Sequence, residues 1–556
     1  MDIFSRAIQA TPWLRDQSLP VQLPVIALAA IVASVALNVA SQLLIPRSKS
    51  TPPMVFHWFP FVGSAVTYGM DPYTFFHENR KRHGDVFTFL LLGRKVTVAL
   101  GPKGSNLVLN GKLNEVSAED VYGAVTVPVF GKEVVYDVPN AVLMEQKRFV
   151  KAGLSTENLH VYVGQIVDEV ENFVANDSTF SALKAGKPAV IDTFQAMSEI
   201  TILTASRTLQ GQEIRESLDK SFADLYHDLD AGFTPINFIM PGLPLPANFR
   251  RDRAQQKMSR FYRDIVEKRR AAAEKGGLES AAGGYHDMIA TLMEQKYKNG
   301  RPLSDIEIAH MMIALLMAGQ HTSSATGSWA LLRLASKPEV IRELYDEQVR
   351  VYGDGTPGSF RPLDYETNKT QLPILDSVIR ETLRMHPPIH SIMRLALKDL
   401  PVPATMGGDG SAGKKSDTQT LIIPKGHSVL AAPGVSAIDP SLWPDAGEFK
   451  PSRWLEAGQL KGEESSSTSP SDTVDYGWGA VSTGANSPYL PFGAGRHRCI
   501  GEQFAYLQLG TIVATVVRGF EWEIEGGKFP EPDYTSMIVL PKAPARLVMR
   551  RRKHAA

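Results

Sequence analysis

The run PFGAGRHRCIG, residues 491–501, carries Cys499 and leads directly into an apolar helical pattern. No second cysteine occurs in the 556 residues. A lone thiol closes no internal disulfide and builds no multi-thiolate zinc site, so Cys499 is either inert packing or a ligand acting by itself. Free cysteine often packs as a small hydrophobe, but this neighbourhood points to the second reading. Gly493, Gly495 and Gly501 let the backbone bend and approach a flat group closely. Arg496, Arg498 and the start of the helix supply positive potential, which predicts a lowered thiol pKa. Phe492 is placed to shield the sulfur from water. A shielded thiolate suits the axial position of a haem iron, where it pushes electron density toward O–O cleavage.

Outward from this loop, the chain reads as one large body with no repeat or linker after residue 60. Lys+Arg and Asp+Glu are equal at 59, so net charge gives no sign of a nucleic-acid partner. The N-terminus departs from the globular pattern. Residues 21–45, VQLPVIALAAIVASVALNVASQLLI, carry no charge and are long enough to cross a hydrocarbon core of about 30 Å. The expected organisation is a membrane-associated segment at 1–20, a transmembrane helix at 21–45, a stiff proline-rich hinge at 46–60 and a catalytic domain at 61–556. Flanking charges are nearly balanced and leave orientation open. The sequons at Asn176 and Asn368 would be glycosylated only in a luminal body. A free thiolate and a need for electrons favour the cytosolic face.

The remainder reads as mainly helical with small β-sheets. Residues 86–100 predict a hairpin around Gly93. Ser304 and Glu307 form a capping-box pair ahead of a long apolar helix to about Ala335, and 372–385 predicts another helix, stopped by Pro387 and Pro388. Short strands are expected at 389–395, 420–432 and 534–549. The Gly/Ser-rich stretches 406–418 and 456–488 read as surface loops.

Three further constellations accompany the cysteine. Glu381 and Arg384 lie three apart on one helix face, and Arg453 is placed to close a hydrogen-bonded triangle with them, although the first two alone also read as a surface ion pair. In the long helix, polar residues 319–324 follow the apolar run IAHMMIALLM. Gly319 weakens the helix and Thr322 can bond back to the preceding turn, so the ladder is expected to open and admit O₂ and a water. Thr322 is then the candidate for proton delivery, the alternative being a helix kink or polar contact. Lys147, Arg394 and His497, with the hydroxyls of Tyr122 and Tyr136, suit the two propionates of a haem. Lys147, Arg148, Lys151, Arg496 and Arg498 also suit a basic face for an acidic electron donor, or a merely solvated charge run.

These residues together resemble the haem-thiolate monooxygenases, the cytochromes P-450, and within them the fungal-type sterol 14α-demethylases. The general pattern runs from about residue 60 to the end, on Glu381, Arg384, Arg453 and residues 492–501. The subfamily resemblance rests on VYGAVTVPVFGKEVVYDVPN (121–140), DLDAGFTPINF (228–238), MAGQHTSS (317–324), HSIMR (390–394) and SMIVLP (536–541). Two positions depart from the wider family and look like the sterol demethylase pattern: His497 where many relatives have Arg, and His321 where many have an acid. The second implies that His321 works with Asp230 and Thr322 in place of the usual acid-alcohol relay.

The resemblance implies the mainly α (α+β) cytochrome P-450 fold, behind a single transmembrane helix. It implies haem b ligated by the Cys499 thiolate, with Tyr122, Tyr136, Lys147, Arg394, His497, Phe492 and Gly493 around it. The implied reaction removes the 14α-methyl group of lanosterol or its 24-methylene relative in three oxidations, each using O₂ and two electrons from NADPH through a separate reductase. Such an enzyme of ergosterol biosynthesis would sit in the endoplasmic reticulum membrane, catalytic domain in the cytosol, with sterol arriving from membrane lipid. Tyr122, Phe130, Tyr136, Phe233, Pro235, Gly319 and Met537 are the candidates for the substrate cavity. Azole inhibition, through a ring nitrogen on the iron, is also implied. A haem-thiolate monooxygenase of another lipid or xenobiotic would keep Cys499 and the Glu381 triangle but has no reason for the 121–140 and 228–238 segments. A haem-binding sensor would need no Thr322 relay.

Overall fold

A computed structural model of the chain describes residues 18–46, 48–218, 220–276, 287–403, 406, 420–455, 474–475, 481–482 and 484–553. Residues 1–17 and most of the Gly/Ser-rich stretches at 406–418 and 456–488 lie outside the described residues, as does the side chain of Pro235. The chain gathers into two compact units, Met1–Ala99 with Leu395–Leu430, and Leu100–Arg394 with Ala431–Ala556.

The first unit begins with α1, Leu19–Leu44. Its 26 residues make a rod of about 39 Å, enough to span a bilayer with tilt. Pro20 sits in the first turn, where its missing N–H is not needed. The apolar span Pro20–Leu44 is unburied by protein. Two amide side chains late in this helix are engaged by the segment expected to be a hinge. Asn38 Nδ2 donates to the carbonyls of His57 and Trp58, both at 2.8 Å, and Gln42 exchanges bonds with His57 O at 2.7 Å and His57 N at 3.2 Å. His57 and Trp58, near the end of the 46–60 stretch, are therefore clamped to the helix by hydrogen bonds. Phe56, Trp58, Phe59 and Phe61 remain exposed beside the clamp.

Helix α2, Pro72–His83, starts at the Asp71 cap, which accepts from Thr74 N, and ends at Gly84 with φ +83°. Its Phe75 packs edge to face with Phe76 and with Phe87 and Phe89 of the hairpin. That hairpin is the expected one: β1, Val86–Leu91, pairs antiparallel with β2, Arg94–Ala99. The two loop residues Leu92 and Gly93 both have positive φ, the geometry that matches strand twist in a tight hairpin.

The second unit contains most of the helices: α3 Glu119–Phe130, α4 Asn140–Gly153, α5 Thr156–Asn176, then strand β3 Ala189–Asp192, α6 Thr193–Ala205, α7 Lys220–Asp230, α8 Pro246–Gly276, α9 Asp305–Ala335, α10 Pro338–Tyr352, α11 Pro373–Met385 and α12 Glu502–Gly519. Strands β4, Phe520–Ile524, and β5, Arg546–Arg551, join β3 in the antiparallel order β4-β5-β3. The axis of the unit is α9. It opens on the expected capping box, with Ser304 Oγ accepting from Glu307 N and Glu307 Oε2 accepting from Ser304 N. Being buried nearly all round, it packs against α6, α8, α11 and α12.

Three expectations about elements need correction. The strand expected at 420–432 is two short ones, Ile422–Ile423 and Ser428–Ala431, divided by a turn with Gly426 at φ +83°. That at 534–549 is likewise split into Leu540–Pro541 and β5, because Pro541 and Pro544 cannot donate to a ladder. At 389–395 the strand is Ile392–Ala396, the carbonyl of His390 accepting from Gly434 N instead of from a ladder partner. The sequon asparagine Asn368 is 5% exposed and accepts from Tyr352 OH at 2.8 Å, a position closed to a glycan, whereas Asn176 is exposed.

Candidate active site

The loop before α12 is shaped by backbone constraints. Gly493 and Gly495 have φ of +70° and +65°, and a Cβ on Gly495 would lie 2.4 Å from the Leu109 carbonyl. Arg498 N donates to Gly495 O, and Cys499 N donates to Phe492 O, both at 3.0 Å, so the loop closes on itself and fixes the direction of the thiol. Phe492 thus acts on the cysteine through its carbonyl, while its ring lies 5.6 Å from that of Tyr506. Cys499 is an exposed residue, yet the protein packed around its sulfur desolvates the thiol.

The expected lowering of the thiol pKa is not found. Burial pushes it up and Glu502 adds to this, outweighing the Gly501 N–H, Lys147 and Arg498. The positive charges are committed elsewhere. Arg498 forks onto Glu502 at 2.7–2.9 Å, and Arg496 donates to the carbonyls of Gly111 and Val116. Of the cations in the expected basic face, Arg498 is thereby paired with a carboxylate, whereas Arg496, bonded to neutral carbonyls, keeps its net charge. Lys147 is committed too: its ammonium donates to Arg496 O at 2.9 Å and Arg498 O at 2.6 Å, bracing the loop.

Beside the loop the structure brings together the rest of the expected cationic set. Tyr122 stacks on Tyr136 at 5.5 Å, and Tyr136 lies 5.9 Å from the His497 ring. Tyr122 OH accepts from Met393 N at 2.9 Å, and the buried Arg394 donates to Met393 O. Burial raises both tyrosine hydroxyls, Tyr136 to about 12. Burial and then Arg394 depress His497 to about 4, so at neutral pH its 4.0 Å approach to Glu119 is not an ion pair. His497 Nε2 and Arg496 Nε are buried and lack a hydrogen-bond partner. Two orphaned nitrogens next to Arg394 and two tyrosines fit the carboxylate edge of a flat dianion such as haem, with Cys499 as the thiolate ligand.

The Glu381 triangle is complete, with Glu381 and Arg384 fully buried rather than a surface pair and Arg453 partly buried. Arg384 Nε and Nη2 fork onto the two Glu381 oxygens at 2.9 Å, and Arg453 Nε donates to Oε1 at 2.9 Å. Trp454 Nε1 adds a bond to Oε2 at 3.0 Å, a member that spacing alone did not reveal. Burial would raise the Glu381 carboxyl, but the guanidinium bonds prevail and hold it below its usual value.

On α9 the ladder is continuous, contrary to the expected opening. Thr322 Oγ1 donates to Ala318 O at 2.9 Å, and Ser324, Thr326 and Ser328 bond back in the same way, so the polar residues are satisfied without breaking the helix. A Cβ on Gly319 would meet nothing within 4 Å, which marks open space at that face. The expected pairing of His321 with Asp230 is present, Nε2 to Oδ1 at 2.8 Å. Tyr226, one turn before Asp230 on α7, also reaches His321 Nε2, at 2.7 Å, and donates to Gln320. It was not singled out in the sequence; its i, i+4 spacing to Asp230 was the available signal.

The aromatic candidates meet in part. Phe130 and Phe233 are 5.7 Å apart, and Tyr122 lies 5.9 Å from Phe238, another ring not singled out in advance. Met537 comes from a separate turn, half-buried two residues before Val539, which is tied to Pro388 and Trp329.

The family model described as Cytochrome P450 matches residues 52–549. The chain is 62% identical to a lanosterol 14-alpha demethylase of Mycosarcoma maydis over 96% of this chain and 92% of that one. It is 48% identical to a lanosterol 14-alpha demethylase of Schizosaccharomyces pombe, over 92% and 95%, and 47% identical to an eburicol 14-alpha-demethylase of Uncinula necator, over 94% of each. A retinoic acid bound cyanobacterial CYP120A1 shares the fold, with a TM-score of 0.70 at 19% identity, over 91% of this chain and all of that one. With its haem-thiolate loop, its buried Glu381 triangle and relatives of this identity along almost its whole length, the chain belongs to the cytochrome P450 family and, within it, to the sterol 14α-demethylases.

Proposed function

We propose that the protein removes the 14α-methyl group of a lanosterol-like sterol, through alcohol and aldehyde to formate, with electrons passed from NADPH by a separate reductase. The observation that carries this reading is the Cys499 thiol, presented by a self-closed loop beside the orphaned nitrogens of His497 and Arg496. The relatives named for lanosterol and eburicol support the sterol class. When bound, the haem supplies an iron centre for the activation of O₂.

The chain's own share is to hold, orient and protonate. Cys499 would provide the thiolate, Tyr122, Tyr136, Arg394 and His497 would hold the propionates, and Lys147 braces the loop that presents the sulfur. Gly493 and Phe492 set the loop's path. Tyr122, Phe130, Tyr136, Phe233 and Met537 are assigned to the apolar wall that orients a rigid sterol and excludes water, supported by the Tyr122–Tyr136 and Phe130–Phe233 contacts and by the open space at Gly319. His321 carries a proton at Nε2 against Asp230, and the Thr322 hydroxyl passes it on. We assign residues 21–45 to the membrane anchor, 46–60 to the connection and 61–556 to the catalytic domain. We place the protein in the endoplasmic reticulum membrane with that domain cytosolic. The unburied α1 and the exposed aromatics at 56–61 support attachment to lipid.

The test is turnover of lanosterol and its 24-methylene relative by the full chain with a reductase and NADPH, products read by mass spectrometry. The 14-desmethyl sterol should appear, vanish with Cys499→Ala, and fall sharply with Thr322→Ala while the haem is retained. A haem-loaded protein with the reduced carbon-monoxide band of a thiolate ligand that leaves both sterols unchanged would overturn the assignment.

A further inference from the structure

The contact between α7 and α9 holds more hydrogen-bonding capacity around His321 than an ion pair uses. Asp230 Oδ1 lies 2.8 Å from His321 Nε2, and the Tyr226 hydroxyl lies 2.7 Å from the same nitrogen. A ring nitrogen has either one hydrogen or one available lone pair. With the hydrogen present, Nε2 donates to the carboxylate. With it gone, Nε2 needs a donor, and an ionised carboxylate has none to offer. Of its two neighbours, only the Tyr226 hydroxyl can then bond to it. That hydroxyl has a second place to put its own hydrogen, the Gln320 Oε1 acceptor, when Nε2 is protonated. Gln320 Nε2 donates in turn to Ser198 O at 3.4 Å on α6, which orients the amide.

We propose that Tyr226 is a positioning residue for proton transfer: its hydroxyl turns between Gln320 Oε1 and His321 Nε2, so that the imidazole is hydrogen-bonded both before and after it releases its proton. This rests on the reading of His321 as a proton carrier. The titratable groups facing the ring are Asp230 and Tyr226 on α7, while α6 contributes the Ser198 carbonyl through Gln320 and Thr322 on α9 is turned to Ala318 O. Tyr226 stays neutral in its role, because burial and the Asp230 charge both raise its pKa. Its ring packs obliquely on the imidazole at 5.5 Å and 31°, a contact that phenylalanine preserves.

The two sides of the rotor make opposite predictions. Tyr226→Phe removes the donor to bare Nε2 and should move the alkaline limb of the turnover profile up by about half to one pH unit, the equivalent of one hydrogen bond. Gln320→Met removes the competing acceptor and should move it down. Sterol binding and haem content should stay at parent values in both. Histidine-labelled protein in its reduced carbon-monoxide form, followed by NMR, should show the His321 resonance titrating with the same two opposite shifts. If both variants superimpose on the parent while His321→Ala loses turnover, the rotor is overturned and the relay stands. If His321→Ala keeps parental turnover and pH profile, the relay falls and the rotor with it. Should Tyr226→Phe fail to retain haem, the downward shift in Gln320→Met still decides, and its absence overturns the proposal.

Discussion

Arg384 shows how much one buried side chain can hold. Its Nε and Nη2 satisfy both oxygens of Glu381, and its remaining hydrogens reach the carbonyls of Ala437, Ala446 and Glu448 at 2.8–3.1 Å. Glu381 receives further bonds from Arg453, Trp454 and Lys450 N. A planar fork is what this arrangement requires, since an ammonium presents three donors from one point and cannot reach two oxygens and three carbonyls together. Arg384→Lys should therefore destabilise the protein by roughly 3–5 kcal/mol, the usual cost of breaking a buried charge network. Urea unfolding followed together with haem retention measures it, and an unchanged midpoint would refute this account. At the same scale, the sequence showed that Glu381 and Arg384 share a helix face but left a surface pair open. Burial is what gives the pair its strength, and burial is a property of the surrounding chain.

At the scale of elements, the N-terminal helix is the instructive case. Its length and uncharged character were readable from residues 21–45, and the structure has a helix over nearly the same span. The clamp from Asn38 and Gln42 to His57 and Trp58 was not readable, because it joins residues 15 to 20 positions apart through backbone carbonyls that carry no sequence signature. Two side-chain amides bonded at the membrane end of α1 should fix the approach of the chain to the bilayer. Asn38→Ala combined with Gln42→Ala should leave haem binding intact and increase proteolytic cleavage between residues 46 and 56 several-fold in vesicle-bound protein. Equal cleavage rates would show that the prolines alone hold this segment. Helix α9 gives the converse lesson: its capping box and its polar run were both legible, but the run suggested an open ladder, and the hydroxyls proved able to bond back within the helix.

For the molecule as a whole, stability is coupled to pH through buried carboxyls. Glu347 is fully buried between α10 and α11, where its oxygens accept from Ile374 N and Leu375 N at 2.7 and 3.1 Å. Burial, only partly offset by those two bonds, pushes its carboxyl up to about 7. The native state therefore holds a proton that the unfolded chain releases above about pH 4.3. The contribution of Glu347 to stability is greatest below that pH and declines as the pH rises to about 7. Glu347→Gln should flatten the fall in urea midpoint between pH 5 and 7, and a slope identical to that of the parent would exclude this role.

Local rules and distant partners divide the information. The hairpin at 86–99, the capped start of α9, the glycine-shaped cysteine loop and the shared face of Glu381 and Arg384 were all legible in the residues themselves. Each depends on residues within a few positions of one another, where turn chemistry and helical spacing decide the outcome. Packing across the whole chain was needed to set Arg496, Arg498 and Lys147 as braces of the loop and to bury the thiol so far that the pull of Lys147 and Arg498 on its pKa is outweighed. It also decided that Trp454 joins the Glu381 network and that Tyr226 shares His321 with Asp230. Those outcomes turn on which donor meets which acceptor once residues far apart in the chain are packed, and on the desolvation that packing imposes.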